Sequence, residues 1–189
     1  MSLAHPWHDI ALPPDDNLDV FPVVIEVPQG DKNKYELDKH TGLLRVDRVL
    51  YSAVHYPANY GFVPRTYAED DDPLDVLVLG QEPVVPLAIL QARAIGGFRM
   101  RDEHGVDTKI IAVHVNDPAV ADYQDIADLP KHSMTEMIRF FEDYKVLEGK
   151  TVEVGARIDR AEAQRILRES VERYRAQAVR LRSGALPPV

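Results

Sequence analysis

Four aspartates stand within six residues of this 189-residue chain, in the order Asp70-Asp71-Asp72-Pro73-Leu74-Asp75, and the run leads straight into Val76-Leu77-Val78-Leu79. Carboxylates this close repel one another, so a folded chain carries them only where they are solvated or where a cation sits among them. Pro73 removes a backbone donor and restricts φ, which makes the acidic part a turn and not a helix. The apolar residues that follow read as a buried strand stopped by Gly80. Carboxylate oxygens held rigidly at a sheet edge suit a hard cation such as Mg²⁺. Taken alone, an acidic turn is more often a solvated loop than a metal site. It is not an EF-hand: counted from Asp70, the sixth residue is Asp75 and the twelfth Gln81, where that loop requires Gly and Glu.

The elements that must position this turn are mostly short strands. Residues 1–19, with Pro6, Pro13 and Pro14, read as an irregular lead-in, and nothing in the sequence orders His5 or His8. Phe21–Val27 is a strand by its β-branched content, and alternation allows Glu26 a wet face with Val24. Lys34–Asp38 and Leu43–Leu50 read as two further strands around the turn His40-Thr41-Gly42. Tyr51–Tyr67 is rich in aromatics, Pro and Gly and has little periodicity, the profile of a long ordered loop or edge segment. Strands are expected again at Ile89–Gly96 and at Lys109–Val115, with a turn at Asp102-Glu103-His104-Gly105 between them. Short strands at near-regular spacing suggest a small barrel. Two helices follow: Pro130–Leu147, with Ser133 and Glu136 as a possible capping box and Tyr144 and Lys145 in the last turn, and one capped by Asp159-x-x-Glu162 that runs to about Arg182. A last short strand, Thr151–Val154, lies between them, and residues 183–189 form a Gly/Pro tail. The whole, 1–189, reads as a single α+β domain, mainly β.

Composition narrows the function. Asp plus Glu number 31 against 22 Lys plus Arg, a net charge of −9, which argues against nucleic acid as the partner and fits a protein that gathers cations. With no cysteine there is no disulfide framework, thiolate metal site or cysteine nucleophile. The first basic residue is Lys32, so the start lacks the features of a targeting peptide. The longest apolar run, Val84–Leu90, is broken by Pro86 and falls short of the ~18 residues a spanning helix needs. A cytoplasmic location and no membrane partner are the expectation. Gly149-Lys150-Thr151 mimics the end of a P-loop, but Tyr144 stands where its first glycine belongs. Serine-hydrolase, zincin and dinucleotide motifs are missing.

Charged and phenolic residues at strand ends and turn edges form a wider set: Glu26, Lys34, Glu36, Arg48, Tyr56, Tyr60, Asp70, Asp72, Asp75, Asp102, Asp107, Lys109, Tyr144 and Lys145. Carboxylates interleaved with Lys and Arg make chemical sense where metal ions and phosphates bind together. The run Asp70-Asp71-Asp72-Pro73-Leu74-Asp75-Val76 resembles the D-x-D-P-x-D signature of the soluble family I inorganic pyrophosphatases. So do Val23–Pro28, Lys34–Asp38, Val46-Asp47-Arg48, Tyr56–Gly61, Asp102…Asp107-Thr108-Lys109 and Phe140–Lys145, in the family's order from Val23 to Lys145.

The resemblance implies a five-stranded OB-like barrel with flanking α-helices and Mg²⁺-dependent hydrolysis of pyrophosphate to two orthophosphates, with several ions per site. By position, it makes Asp70, Asp75 and Asp107 ligands of the tight metal, with Asp75 shared. Asp102 and Glu36 would serve further metals, with Glu26 close by or acting through water. Asp72 would be the general base toward a metal-bridging water. Lys34, Arg48, Tyr56, Tyr60, Lys109, Tyr144 and Lys145 would hold pyrophosphate or the leaving phosphate. A homo-oligomer, with a hexamer favoured, is implied as well. Leu87 departs from the family's usual glycine after the proline matching Pro86. Two rivals remain: a phosphohydrolase acting on nucleotides or polyphosphate, and a non-catalytic binding module of OB type, which should show exposed aromatics in a basic groove.

Overall fold

Strand β1 (Phe21–Val27) is buried along its whole length. It pairs antiparallel with β4 (Asn59–Phe62) on one edge and with β6 (Ile89–Asp102) on the other. β4 pairs with β5 (Asp75–Leu79), β5 runs parallel to β7 (Gly105–His114), and β7 returns to β6. The strands β1, β4, β5, β7 and β6 thus close a ring, the OB-like five-stranded barrel, and β8 (Glu153–Ile158) adds to the far half of β6. This computed structural model describes residues 4–14, 17–102 and 105–183, with the side chain of Asp102 outside the description. Among the described residues, no helix is long and apolar enough to cross a membrane.

Closure requires the strands to come very near one another. A Cβ on Gly61 would lie 1.9 Å from the Val24 carbonyl oxygen, so the aromatic segment before the acidic turn can enter the ring as β4 only with glycine there. The stretch expected to be a loop therefore contains a central strand. β6 is also longer than periodicity suggests. A register shift between Ala94 and Gly96 bends it, and Gly96 takes φ +152°. The strand then continues to Asp102. Glu103 and His104, expected in the following turn, lie outside the described residues.

The two strands expected to join the barrel, β2 (Asn33–Leu37) and β3 (Leu44–Val49), instead form a separate antiparallel ribbon. A two-stranded ribbon is barely stable alone. This one is tied to the barrel by Glu26, whose Oε1 accepts from the Leu37 N–H at 2.7 Å. That overturns the wet-face reading of Glu26, which is only 8% exposed because the ribbon covers it.

Helix α1 (Lys131–Asp143) lays Met134, Met137, Phe140 and Phe141 against a cluster with Leu77, Ile111 and Val113. Helix α2 (Arg160–Arg182) puts Ile166, Leu167 and Val171 against Val76, Val78, Ile110 and Ala112. Neighbouring residues of β5 thus serve opposite helices, as strand alternation requires. Each fully buried aliphatic of this kind contributes about 1.5–3 kcal/mol. Asp159 caps α2, accepting from the Glu162 N–H at 2.8 Å, as its spacing predicts. α1 starts at Pro130 without a side-chain cap, so the Ser133/Glu136 box does not form. It ends at Asp143, a turn earlier than expected. Val146–Glu148 is a single 3-10 turn, which leaves Tyr144 and Lys145 at the junction.

The described part of the lead-in is irregular, as expected, but contrary to expectation its histidines are held in place. Trp7 is fully buried, its Nε1 donating to the Thr66 carbonyl at 2.8 Å, and His8 Nδ1 lies 2.8 Å from the Tyr174 hydroxyl. Leu87, at the position that departs from the usual glycine, does take the left-handed conformation, with φ 66°.

Candidate active site

The acidic turn is closed by the Ala68 N–H donating to the Asp72 carbonyl at 2.7 Å, and Asp72 N–H donates to Asp70 Oδ1 at 3.3 Å. Thr66 Oγ1 accepts from the Leu74 N–H at 2.8 Å, which delivers the chain to β5 with Asp75 as its first residue. In the parallel pairing, Val76 sits opposite Ile110, so Asp75 stands beside Lys109. Asp107, two residues before Lys109 on β7, shares its face. One carboxylate oxygen each from Asp70, Asp75 and Asp107 lies within 4.8 Å of the others.

Lys109 is the hub of this cluster. It is 4% exposed, pairs with Asp75, lies 2.6 Å from Asp107, and donates to the Tyr60 hydroxyl at 3.0 Å. Burial alone would depress its pKa, but Asp107 and Asp75 outweigh that and hold it well above its ordinary value. One ammonium does not balance three carboxylates. Burial, then Asp75 and Asp107, push the Asp70 carboxyl up to about 7. Burial, then Asp75, push Glu26 up to about 8. The site is short of positive charge, and its spare donors are hard oxygens, so a divalent cation fits the residues present.

An aromatic wall flanks the hub. Tyr56 and Tyr60 lie with ring centroids 5.4 Å apart, Phe140 packs on Tyr56 at 4.8 Å, and Tyr144 stacks on Phe140 at 5.6 Å. Burial raises both Tyr56 and Tyr60 well above the ordinary tyrosine value, so each keeps its proton and can donate it. Lys145 Nζ lies 5.6 Å from the Tyr144 ring centroid.

The ribbon carries the remaining candidates. Lys34 pairs with Glu36 and, at 3.3 Å, with Asp47. Arg45 reaches Glu36 at 3.1 Å. Arg48 pairs with Asp47 and donates from Nε to Glu148 at 2.7 Å, joining the ribbon to the segment that follows α1. Asp72 is not one of the three clustered carboxylates; it pairs with Lys39. Asp102 ends β6 opposite Gly105, and its side chain lies outside the described residues. Sequence reasoning passed over Lys39, Asp47 and Glu148 as partners. Lys39 and Glu148 carry no sequence signal but charge, Asp47 also falls in the resembling Val46-Asp47-Arg48 segment, and what selects all three is proximity across the ribbon and the chain.

Two cavities do not mark the chemistry equally. One of about 470 Å³ lies between the lead-in and α2, at Arg65, Tyr174 and Arg182. Another of about 400 Å³ borders Asp70 and Asp107 and extends to Arg99, Arg165 and Arg173. The second adjoins the charge cluster and the first does not, so charge and not volume locates the site.

The family model for inorganic pyrophosphatase matches residues 23–175. The chain belongs to the inorganic pyrophosphatase family. A soluble inorganic pyrophosphatase of Zea mays is 55% identical over 171 residues, covering 90% of this chain and 79% of that protein. Soluble inorganic pyrophosphatase 2 of Chlamydomonas reinhardtii is 51% identical over 176 residues, covering 93% and 91%. The crystal structure of the inorganic pyrophosphatase from Thermus thermophilus superposes with a TM-score of 0.86 at 41% identity, covering 91% of this chain and 99% of that one. Soluble family I is thus the family, and its members' barrel is the barrel seen here. The acidic turn that feeds the carboxylate cluster lies within the matched residues 23–175.

Proposed function

We propose that this chain hydrolyses inorganic pyrophosphate to two orthophosphates with Mg²⁺ as cofactor, several ions serving each site. The observation that carries the reading is the cluster of Asp70, Asp75 and Asp107 around Lys109, over-negative and opposite a wall of tyrosines and cations. Asp70, Asp75 and Asp107 would hold the tightest ion, and Glu36, Asp102 and Glu26 further ones. Bound Mg²⁺ supplies positive charge to the phosphate oxygens and acidifies a coordinated water.

The chain's own residues do the rest. Lys34, Arg48, Lys109 and Lys145 offset phosphate charge, and Tyr56, Tyr60 and Tyr144 donate to phosphate oxygens with protons that burial keeps on Tyr56 and Tyr60. Asp72 takes the proton from the attacking water. The new P–O bond forms as the bridging P–O bond breaks, and the second phosphate leaves as orthophosphate. Lys39 pairs with Asp72 and holds the carboxylate of the proposed base in place.

We read residues 1–189 as one pyrophosphatase unit, a reading supported over residues 23–175 by the family match. Exposed Val85, Leu87 and Ile89 support a homo-oligomer, hexameric in our reading, to be checked by light scattering. A cytoplasmic location is part of the same reading.

The deciding test is phosphate release from pyrophosphate, tripolyphosphate and ATP, with Mg²⁺ or with EDTA, for the wild type and Asp72→Asn. We expect Mg²⁺-dependent release, pyrophosphate strongly preferred, and a loss of about 10²–10⁴-fold in the variant. Full activity in Asp72→Asn removes the base assignment, and a preference for ATP or tripolyphosphate moves the function to another phosphohydrolase. Inactivity with every divalent metal favours the binding-module reading.

A further inference from the structure

The acidic turn has a second set of contacts, directed to α2. Asp71, between Asp70 and Asp72, is held at φ 66°. A residue with a Cβ adopts this left-handed conformation at a cost, and Asp does so chiefly where its short polar side chain finds a local hydrogen bond. Its carboxylate accepts a hydrogen bond from the Tyr67 hydroxyl. Tyr67 is itself immobilised. It is 3% exposed, its N–H donates to the Ser170 carbonyl at 2.9 Å, and its carbonyl accepts from Arg173 Nε at 2.9 Å. Arg180 Nη2 donates to the Tyr67 hydroxyl at 3.0 Å, and its guanidinium lies 5.8 Å from the ring centroid. A hydroxyl has one proton to give. With Arg180 donating to its oxygen, that proton is committed to Asp71.

We propose that Arg180, Tyr67 and Asp71 form a brace from α2 that fixes the left-handed residue of the acidic turn and so positions Asp70 and Asp72. Asp71 joins the two peptide planes that carry Asp70 and Asp72, so a change in its φ moves both carboxylates. Tyr67 and Arg180 are positioning residues acting through Asp71. The inference rests on the proposed metal-binding role of Asp70, and it gives a function to the C-terminal helix, which the reaction itself does not use.

The test is a double-mutant cycle on the full-length protein, using Tyr67→Phe, Asp71→Gly and both together. Mn²⁺ affinity is read from the free-ion EPR signal, with kcat, KM and thermal unfolding measured alongside. Glycine adopts the left-handed conformation without the brace. We therefore expect Tyr67→Phe to weaken Mn²⁺ binding about fivefold and to lower kcat, while Asp71→Gly stays within about twofold of wild type. In the Asp71→Gly background, Tyr67→Phe should then change neither. A Tyr67→Phe effect of equal size in both backgrounds overturns the brace, since the hydroxyl then acts elsewhere. So does a variant that loses thermal stability but keeps Mn²⁺ affinity and kcat. A wild type that binds Mn²⁺ while Tyr67→Phe matches it overturns the brace alone. A wild type that binds no Mn²⁺ overturns both the brace and the metal site it serves.

Discussion

On the barrel wall of the site, the Lys109 side chain is 5% exposed and lies among Asp75, Asp107 and the Tyr60 hydroxyl. On the ribbon wall, the Lys34 side chain is 20% exposed and pairs with Glu36 and Asp47, while Arg45, 63% exposed, shares Glu36. The residue types are the same and the setting differs. In the barrel, the ammonium is buried, carboxylates outnumber cations, and removing the ammonium leaves the half-buried carboxylates uncompensated. On the ribbon, the pairs of Lys34 and Arg45 with Glu36 are more open to water, and the charges nearly balance. The contrast teaches that burial of one ammonium among three carboxylates leaves the barrel wall with excess negative charge, whereas the ribbon wall carries nearly balanced, more exposed pairs.

The contrast can be broken most directly at Lys109. Lys109→Met should cost about 3–5 kcal/mol in the EDTA-treated protein, read by urea unfolding at pH 7, because Asp75 and Asp107 lose their buried cation. A change under about 1 kcal/mol would place the cluster energetically with exposed pairs and erase the difference between the walls.

A pH titration sharpens the same point. Glu26 at about 8 and Asp70 at about 7 are both raised in the folded protein, by burial first and then by neighbouring carboxylates. The folded state therefore binds more protons than the unfolded state above the ordinary carboxylate range. Their contribution to stability is fully present below that range and is lost as pH rises through about 7 and 8. Urea unfolding in EDTA between pH 5 and 9 should show stability falling with pH, and Glu26→Gln should flatten the slope. A slope of opposite sign, or one unchanged in Glu26→Gln, would show that Glu26 is not held protonated by its burial under the ribbon.

The smallest effect belongs to the ribbon. Arg45→Ala should change stability by less than about 1 kcal/mol and weaken further in high salt, since its contact with Glu36 is exposed. A loss comparable to that of Lys109→Met would make the ribbon a structural wall like the barrel.

Much of the fold was legible because it depends on local pattern. β1 and β5 follow from β-branched and apolar runs, α2 from its stripe and its Asp159 cap, and the acidic turn from Pro73 among aspartates. The errors fall where a distant contact overrides that pattern. Alternation exposes Glu26, but the ribbon covers it; irregular composition hides β4, but Gly61 admits it to the ring. His8 looked unordered until α2 supplied Tyr174.

By itself, then, the sequence determined which residue types were available: an acidic turn delivered into a buried strand, aromatic and cationic segments in a recognisable order, and no thiol chemistry. The parallel pairing of β5 with β7 decided that Asp75 and Asp107, 32 positions apart by number, would face one ammonium. The ribbon decided that Glu26 would be buried, and α2 that Asp71 would be braced. The reason is that charge–charge energies depend on separation and on the exclusion of water, and both are set by contacts between residues far apart in the chain.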